Sequence, residues 1–177
     1  MTERSELIEL HNRLSKTLDE ERVAAKEKRH DKGYRTAREN LDDLIDRDSF
    51  VEYGQLAVAA QKSRREIEEL RTETAADGII TGFGKINGDI LQDSKALSAI
   101  IINDYSVLAG TQGYYHHKKL DRICETAEKQ NLPVIMYTEG GGGRPGDTDV
   151  HVQFAGLNIP SFSNWAKLRG KSIRIAV

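Results

Sequence analysis

"LSAIIINDYSVLAGTQGYYHHKKLDRICETAEKQNLPVIMYTEGGGG", residues 97–143, holds two apolar runs separated by a glycine-containing loop and a helical pattern. The run that starts at Leu97 fits a buried strand. Leu120, Ile123, Cys124 and Ala127 then recur at helical spacing, and the helix is predicted to stop at Asn131, just ahead of Pro133. "PVIMY" reads as the next buried strand. Strand, helix and strand in that order give α/β layering.

The rest of the chain extends this unit in both directions. Upstream, "GIITGFGKINGDILQD" has Asn87-Gly88 between two extended runs, which predicts a short hairpin. Downstream, a helix is expected over residues 148–169, and "SIRIAV" begins another strand. A chain that stops inside an apolar strand leaves ladder groups unpaired, as expected of a piece of a longer protein. Residues 1–76 differ in character: they carry 15 basic and 18 acidic side chains, against 21 charged residues in the remaining 101 positions. They are read as a charged helical segment, 1–76, and residues 77–177 as the folded centre. Within the first segment, Leu7, Leu10, Leu14 and Leu18 predict an amphipathic helix over 3–29, broken by Gly33. Thr36 and Glu39 have the spacing of a capping box, with Leu41, Leu44 and Ile45 as the apolar face behind them. "SFVEYG" reads as a short extended piece, and "KSRREIEELRTET" as a charged, solvent-facing helix.

"TEGGGGRPGDTD" follows the second apolar strand and raises the question of what approaches that backbone so closely. Gly141, Gly143 and Gly146 match G-x-G-x-x-G, but no Asp or Glu follows Asp149 to hold a ribose. Gly141, Gly146 and Thr148 approximate a P-loop, but Asp147 occupies the lysine position and would repel phosphates. A slack surface loop would have little reason for four glycines, which carry the largest ordering entropy. A run of exposed N–H donors that admits a carbonyl or thioester is the better reading. Ala109, Gly110 and Gly113 form a second small-residue loop at the end of the preceding strand. Loops at neighbouring strand ends are expected to face one pocket.

Composition narrows the function. The chain has 177 residues, enough for one domain with a core, 26 basic against 28 acidic side chains, and a pI of about 6.2. That balance excludes a nucleic-acid module of the basic-stripe kind. No run is long and apolar enough for a membrane span, and the N-terminus has no signal-peptide core. One cysteine, Cys124, rules out an intrachain disulfide or a multi-cysteine zinc site, and no metal site is expected. These features suit a cytoplasmic protein, or a mitochondrial-matrix one without its transit peptide. His116, His117, Lys118 and Lys119 read as a solvated helix start, with one lysine free to neutralise a phosphate. His11, His30 and His151 read as surface residues, Cys124 as packing and Trp165 as a core anchor. No Ser-His-Asp or paired-carboxylate constellation is legible.

Three stretches together resemble the carboxyltransferase component of biotin-dependent acyl-CoA (acetyl- or propionyl-CoA) carboxylases. "TARENLDDLIDRDSFVEYG" is similar to that family's opening T-A-R-E-R-L, L-L-D and S-F-V-E. "DGIITGFGKING" resembles its D-G-V-V-T-G-x-G hairpin. "DYSVLAGTQGYYHHKKLDRICETAEKQNLPVIMYTEGGGGRPGD" resembles the strand, loop, helix, strand and glycine loop that follow. The chain departs from the common F-G-G-S-L-G at Leu108–Gly113 and from D-S-G-G-A-R at Glu139–Arg144, which leaves acyl chain length open.

The resemblance implies a crotonase-like spiral of ββα units, here incomplete, preceded by N-terminal helices. It implies transfer of CO2 from carboxybiotin, on a carrier domain, to the α-carbon of an acyl-CoA through an enolate held by backbone N–H groups. The substrate-binding residues it implies are Ala109, Gly110, Thr111, Gln112, Gly113, Gly140, Gly141, Gly142, Gly143 and Arg144, with Lys118 or Lys119 on a CoA phosphate. No catalytic side chain is expected, because biotin itself takes the α-proton and the main oxyanion glycines are expected beyond Val177. Implied partners are biotin carboxyl carrier and biotin carboxylase domains or subunits, in a dimer-based homo-oligomer. The chain alone is expected to be inactive. Two alternatives stay open: a crotonase-like acyl-CoA decarboxylase component, and a catalytically dead CoA-binding or assembly module.

Overall fold

A computed structural model of the chain describes residues 4–91, 93–150 and 159–177. The N-terminal segment contains α1 (Ser5–Ser15), α2 (Val23–His30), α3 (Ala37–Leu44), the short strand β1 (Val51–Tyr53) and α4 (Ile67–Glu73). Then come β2 (Ile79–Lys85), a single helical turn α5 (Asp93–Ala96), β3 (Leu97–Asn103), α6 (Tyr114–Gln130), β4 (Val134–Tyr137), α7 (Ser161–Lys167) and β5 (Arg174–Ala176). No helix among the described residues is long and apolar enough to cross a membrane.

The five strands form one sheet in chain order, with β1–β2 and β2–β3 antiparallel and β3–β4 and β4–β5 parallel. Helices α6 and α7 make the two parallel crossovers. Alternation along β2 and β3 divides the apolar side chains between the faces. Ile79, Ala99 and Ile101 join Ile123, Cys124 and Ala127 of α6 on one side, with Leu168 and the partly buried Trp165. Ile80, Ile100 and Ile102 meet Ala37 and Leu41 of α3 on the other. Both strands of the crossover are therefore covered on both faces, which is why they read as unbroken apolar runs. Cys124 packs with no exposure, and burial pushes its thiol up to about 12.

Local chemistry explains the ends that match expectation. The Thr36 hydroxyl accepts from the Glu39 N–H at 3.0 Å, and Glu39 Oε2 accepts from the Thr36 N–H at 2.9 Å. Asn131 ends α6 in the left-handed conformation. Three expectations need correction. The helix over 3–29 is two helices, because residues 16–22 form turns that carry Arg22 toward β3, where it pairs with Asp104. Asn87-Gly88 turns the chain but does not close a two-residue hairpin: β3 starts only at Leu97. The Asp46 carboxylate takes both N–H groups of that pair, at 3.1 and 2.7 Å, instead of leaving them to a ladder. The helix over 148–169 starts only at Ser161, after Pro160, and residues 148–150 are not helical; residues 151–158, including His151, lie outside the described residues.

Candidate functional site

The two small-residue loops leave the carboxyl ends of β3 and β4, and they are bonded to each other. The Gln112 N–H donates to Gly142 O at 2.8 Å, Arg144 N–H to Gln112 O at 2.8 Å, and Gly141 N–H to Gly110 O at 3.0 Å. This short parallel bridge extends the sheet beyond its regular strands. It also supplies a reason for the glycines. A Cβ at Gly141 would strike the carbonyl of Ala109, and one at Gly113 would strike the Arg144 guanidinium and the Asp147 carboxylate. What approaches these backbones is the rest of the protein.

Gly142 and Gly143 differ. Gly142 has φ +84°, and a Cβ at either position would meet nothing within 4 Å. Both are exposed, and the N–H groups of Gly140, Gly142 and Gly143 find no acceptor among the described residues. They are unbonded donors on an exposed loop that is fixed at its exit. Asp149 accepts from the N–H groups of Lys62 and Ser63 at 2.7 and 2.8 Å and donates its own N–H to Ala60 O at 3.0 Å.

Beneath the loops lies a buried ionic cluster. The Arg144 side chain is 6 % exposed, donates to Asp147 Oδ1 at 2.9 Å and to Thr111 O at 3.1 Å, and pairs with Asp77. Asp77 Oδ2 accepts the His116 N–H at 2.7 Å, and Asp147 Oδ2 accepts the Tyr114 N–H at 2.7 Å, so these carboxylates cap the first turn of α6. Burial disfavours all three charges. It wins at Asp77, whose carboxyl is raised despite Arg144. At Asp147 the bonds from Arg144 and Tyr114 outweigh it and hold the carboxyl down. At Arg144 the two carboxylates outweigh it and raise the guanidinium. Ala76 and Asp77 both have positive φ, at 52° and 50°, a costly backbone for non-glycine residues that the cluster holds in place. Arg144 is thus turned inward and braces both loops.

The expected solvated start of α6 is corrected. His116 is fully buried, and His117 and Lys119 are nearly so, because the helix start lies against the turn at Ala75–Gly78 and against α7. Burial pushes His116 down to about 3; its Nδ1 lies 3.2 Å from Asp77 O, and its Nε2 finds no partner among the described residues. His117 Nδ1 lies 3.0 Å from Ser161 Oγ, which donates to Asp121. The Lys119 ammonium donates to Ala76 O at 2.8 Å and to Ile79 O, and burial pushes it down to about 8. It is therefore committed to the turn rather than to a phosphate. Lys118 is exposed, with its ammonium 5.4 Å from the centre of the Tyr114 ring. His11 and His30 lie on the surface, as expected.

A feature that sequence reasoning missed adjoins the loops. Helix α2 is strapped across the strand ends by Arg22, which bonds Asp104 at 2.7 Å and Ser106 at 3.0 Å. Arg29 forms a second strap, gripping Glu139 with two bonds of 2.7 and 2.6 Å. Between α2 and the loops runs a cleft of about 990 Å³ that reaches Ala109 and Glu139. Both straps join residues far apart in sequence, so no local pattern announces them.

With this geometry in view, the carboxyl transferase domain model matches residues 28–161. The biotin-dependent acetyl-/propionyl-coenzyme A carboxylase beta5 subunit of Mycobacterium leprae is 35% identical over 143 residues, 81% of this chain and 24% of that protein. The methylmalonyl-CoA decarboxylase subunit alpha of Veillonella parvula is 32% identical over 139 residues, 76% of this chain and 25% of that protein. Among solved structures, a single-chain, multi-domain long-chain acyl-CoA carboxylase superposes with a TM-score of 0.91 at 48% identity, over 99% of this chain and 17% of that one. The chain thus spans about a quarter of the curated relatives it matches. The fold is the mixed α/β fold of crotonase-like carboxyltransferases.

Proposed function

This chain belongs to the carboxyl transferase domain family, and on that premise we propose that it forms part of the acyl-CoA side of a biotin-dependent carboxyltransferase. The observation that carries this reading is the mutual bonding of the two loops, which leaves the Gly140, Gly142 and Gly143 N–H groups without an acceptor among the described residues and open space beside Gly142 and Gly143. Such donors orient an acyl-CoA carbonyl without adding bulk. The binding set becomes Ala109, Gly140, Gly142 and Gly143, with Lys118 as an exposed phosphate contact. Gly110, Thr111, Gln112, Gly113, Gly141 and Arg144 hold the loops in register.

Carboxybiotin, delivered by a partner domain, supplies the carboxyl group in this chemistry. No residue of this chain is assigned to the biotin ring, and the unbonded donors are given wholly to the acyl-CoA. The chain's own task is to bind the thioester and keep its α-carbon turned toward the partner-borne group. Its buried histidines and Lys119 take no part in proton transfer. Turnover by the 177-residue chain alone is not expected. A decarboxylase component would use the same donors, a reading supported by the likeness to the Veillonella subunit.

The test is calorimetric titration of the purified chain with acetyl-, propionyl- and longer acyl-CoAs. Saturable binding that is weakened in Gly142→Val/Gly143→Val is expected. A well-folded sample that binds none of them would overturn the proposal.

A further inference from the structure

Asn87-Gly88 is the only Asn-Gly pair in the sequence, and it closes no two-residue hairpin. We propose that Asn87 is a site of spontaneous deamidation and that the Asp46 carboxylate holds the reaction in check. The reaction is internal to the chain. The Gly88 nitrogen attacks Cγ of Asn87, the Cγ–Nδ2 bond breaks, and Nδ2 leaves as ammonia with the proton that the Gly88 nitrogen gives up. Water then opens the resulting succinimide at one carbonyl or the other, which leaves aspartate or isoaspartate, with nothing oxidised or reduced. Glycine in second place favours ring closure, because no Cβ crowds the attacking nitrogen and the backbone turns freely. Asn87 is exposed, so water reaches it.

The folded turn opposes each step of closure. The attacking nitrogen must lose its proton, and that N–H donates to Asp46 Oδ2 at 2.7 Å, with the Asn87 N–H on Oδ1 at 3.1 Å. A carboxylate in that place stabilises the protonated nitrogen and repels the anion that attack requires. The nitrogen must also swing toward Cγ, yet Asn87 is held at φ 56° while its carbonyl accepts the N–H groups of Ile90 and Leu91 at 3.0 and 2.9 Å. Asp46 is itself fixed: its N–H donates to Lys85 O at 2.8 Å, at the end of β2, and its carbonyl accepts from Ser49 Oγ at 2.7 Å. A Cβ at Gly88 would lie 2.8 Å from Asp46 Oδ2, so the residue that admits the carboxylate is also the one that makes the pair labile. Reaction would undo the contact. Aspartate sets a second carboxylate beside Asp46, and isoaspartate lengthens the backbone between the two bonded N–H groups. The turn precedes β3, at the opposite end of that strand from the small-residue loops.

The experiment incubates the purified chain at neutral pH, native and in urea, beside native Asp46→Asn, with thermal melts as the folding control. Peptide mapping by mass spectrometry follows Asn87 and separates the aspartyl from the isoaspartyl product. Asp46→Asn is nearly isosteric, removes the charge and leaves the Ile90 and Leu91 bonds in place. Native wild type is expected to react at Asn87 at least about tenfold more slowly than the urea-unfolded chain, as one hydrogen bond to a charged group implies. Folded Asp46→Asn is expected to recover most of that factor. A folded Asp46→Asn that reacts as slowly as native wild type would overturn the proposal, because the backbone bonds alone would then hold the turn. Equal rates in native and unfolded wild type would overturn it too, as would an unfolded chain that does not react at Asn87. Asp46→Ser carries the same comparison should Asp46→Asn not fold.

Discussion

Replacing Arg144 with Met keeps most of the side-chain volume but removes the only cation bonded to Asp77 and Asp147 among the described residues. Both carboxylate side chains have 0% exposure, so solvent cannot substitute for the guanidinium. Breaking a buried pair by removing one partner costs about 3–5 kcal/mol, because a charge is left uncompensated. With a typical urea m-value, that loss moves the unfolding midpoint down by about 2 M or more. The loss depends on pH, and the sign follows from the carboxylates. Asp77 is already raised by burial, so its contribution is most favourable at low pH and is lost as pH rises through its folded value. Asp147 is lowered, so its contribution is present above its unfolded value and is lost as pH falls through the folded one. Without Arg144 both carboxyls move up, and protonation relieves both. The gap between wild type and Arg144→Met should therefore be widest near pH 7.5 and narrow at pH 5. Asp77→Asn in the same background should recover part of it. Urea unfolding at the two pH values decides this. A gap below about 1 kcal/mol at pH 7.5, or one that does not change with pH, would refute the claim that Arg144 is spent on the buried carboxylates.

Thr36→Ala removes the capping box of α3, and a loss of about 1 kcal/mol is expected in urea unfolding. No loss would mean that packing of Ala37 and Leu41 alone holds that helix. His116 is held near 3, below its usual 6.5, so its unfolded form binds more protons between those values. Its contribution is complete above pH 6.5 and is lost as pH falls, by at most about 1.4 kcal/mol per pH unit. His116→Gln should flatten the stability profile between pH 6 and 4 relative to wild type. Parallel profiles would contradict a buried neutral imidazole.

Legibility in the sequence followed the range of each interaction. The β3–α6–β4 unit could be read because its apolar spacing is set within each element, and the Thr36 cap because its partner is three residues away. Asn87-Gly88 misled because its N–H groups are taken by Asp46, some forty residues earlier. The burial of His116 and Lys119 was invisible for the same reason: their partners lie on the 75–79 turn. At the site, both loops were identified and the structure brings them together, but the sequence could not separate glycines packed on protein from glycines with open space beside them. Arg144 looked like a ligand contact because one of its two carboxylate partners, Asp77, is far away in the chain. The cleft under α2 depends on two long-range arginine pairs and left no motif.

The central claim is that the unbonded N–H groups of Gly140, Gly142 and Gly143 receive an acyl-CoA while those of Gln112, Gly141 and Arg144 stay bonded between the loops. Amide chemical shifts of the isotopically labelled chain during titration with propionyl-CoA test it directly. The account predicts that the first three amides shift along one saturation curve, while the second three move little and remain protected from hydrogen exchange. Saturable binding that leaves Gly140, Gly142 and Gly143 unmoved would contradict it.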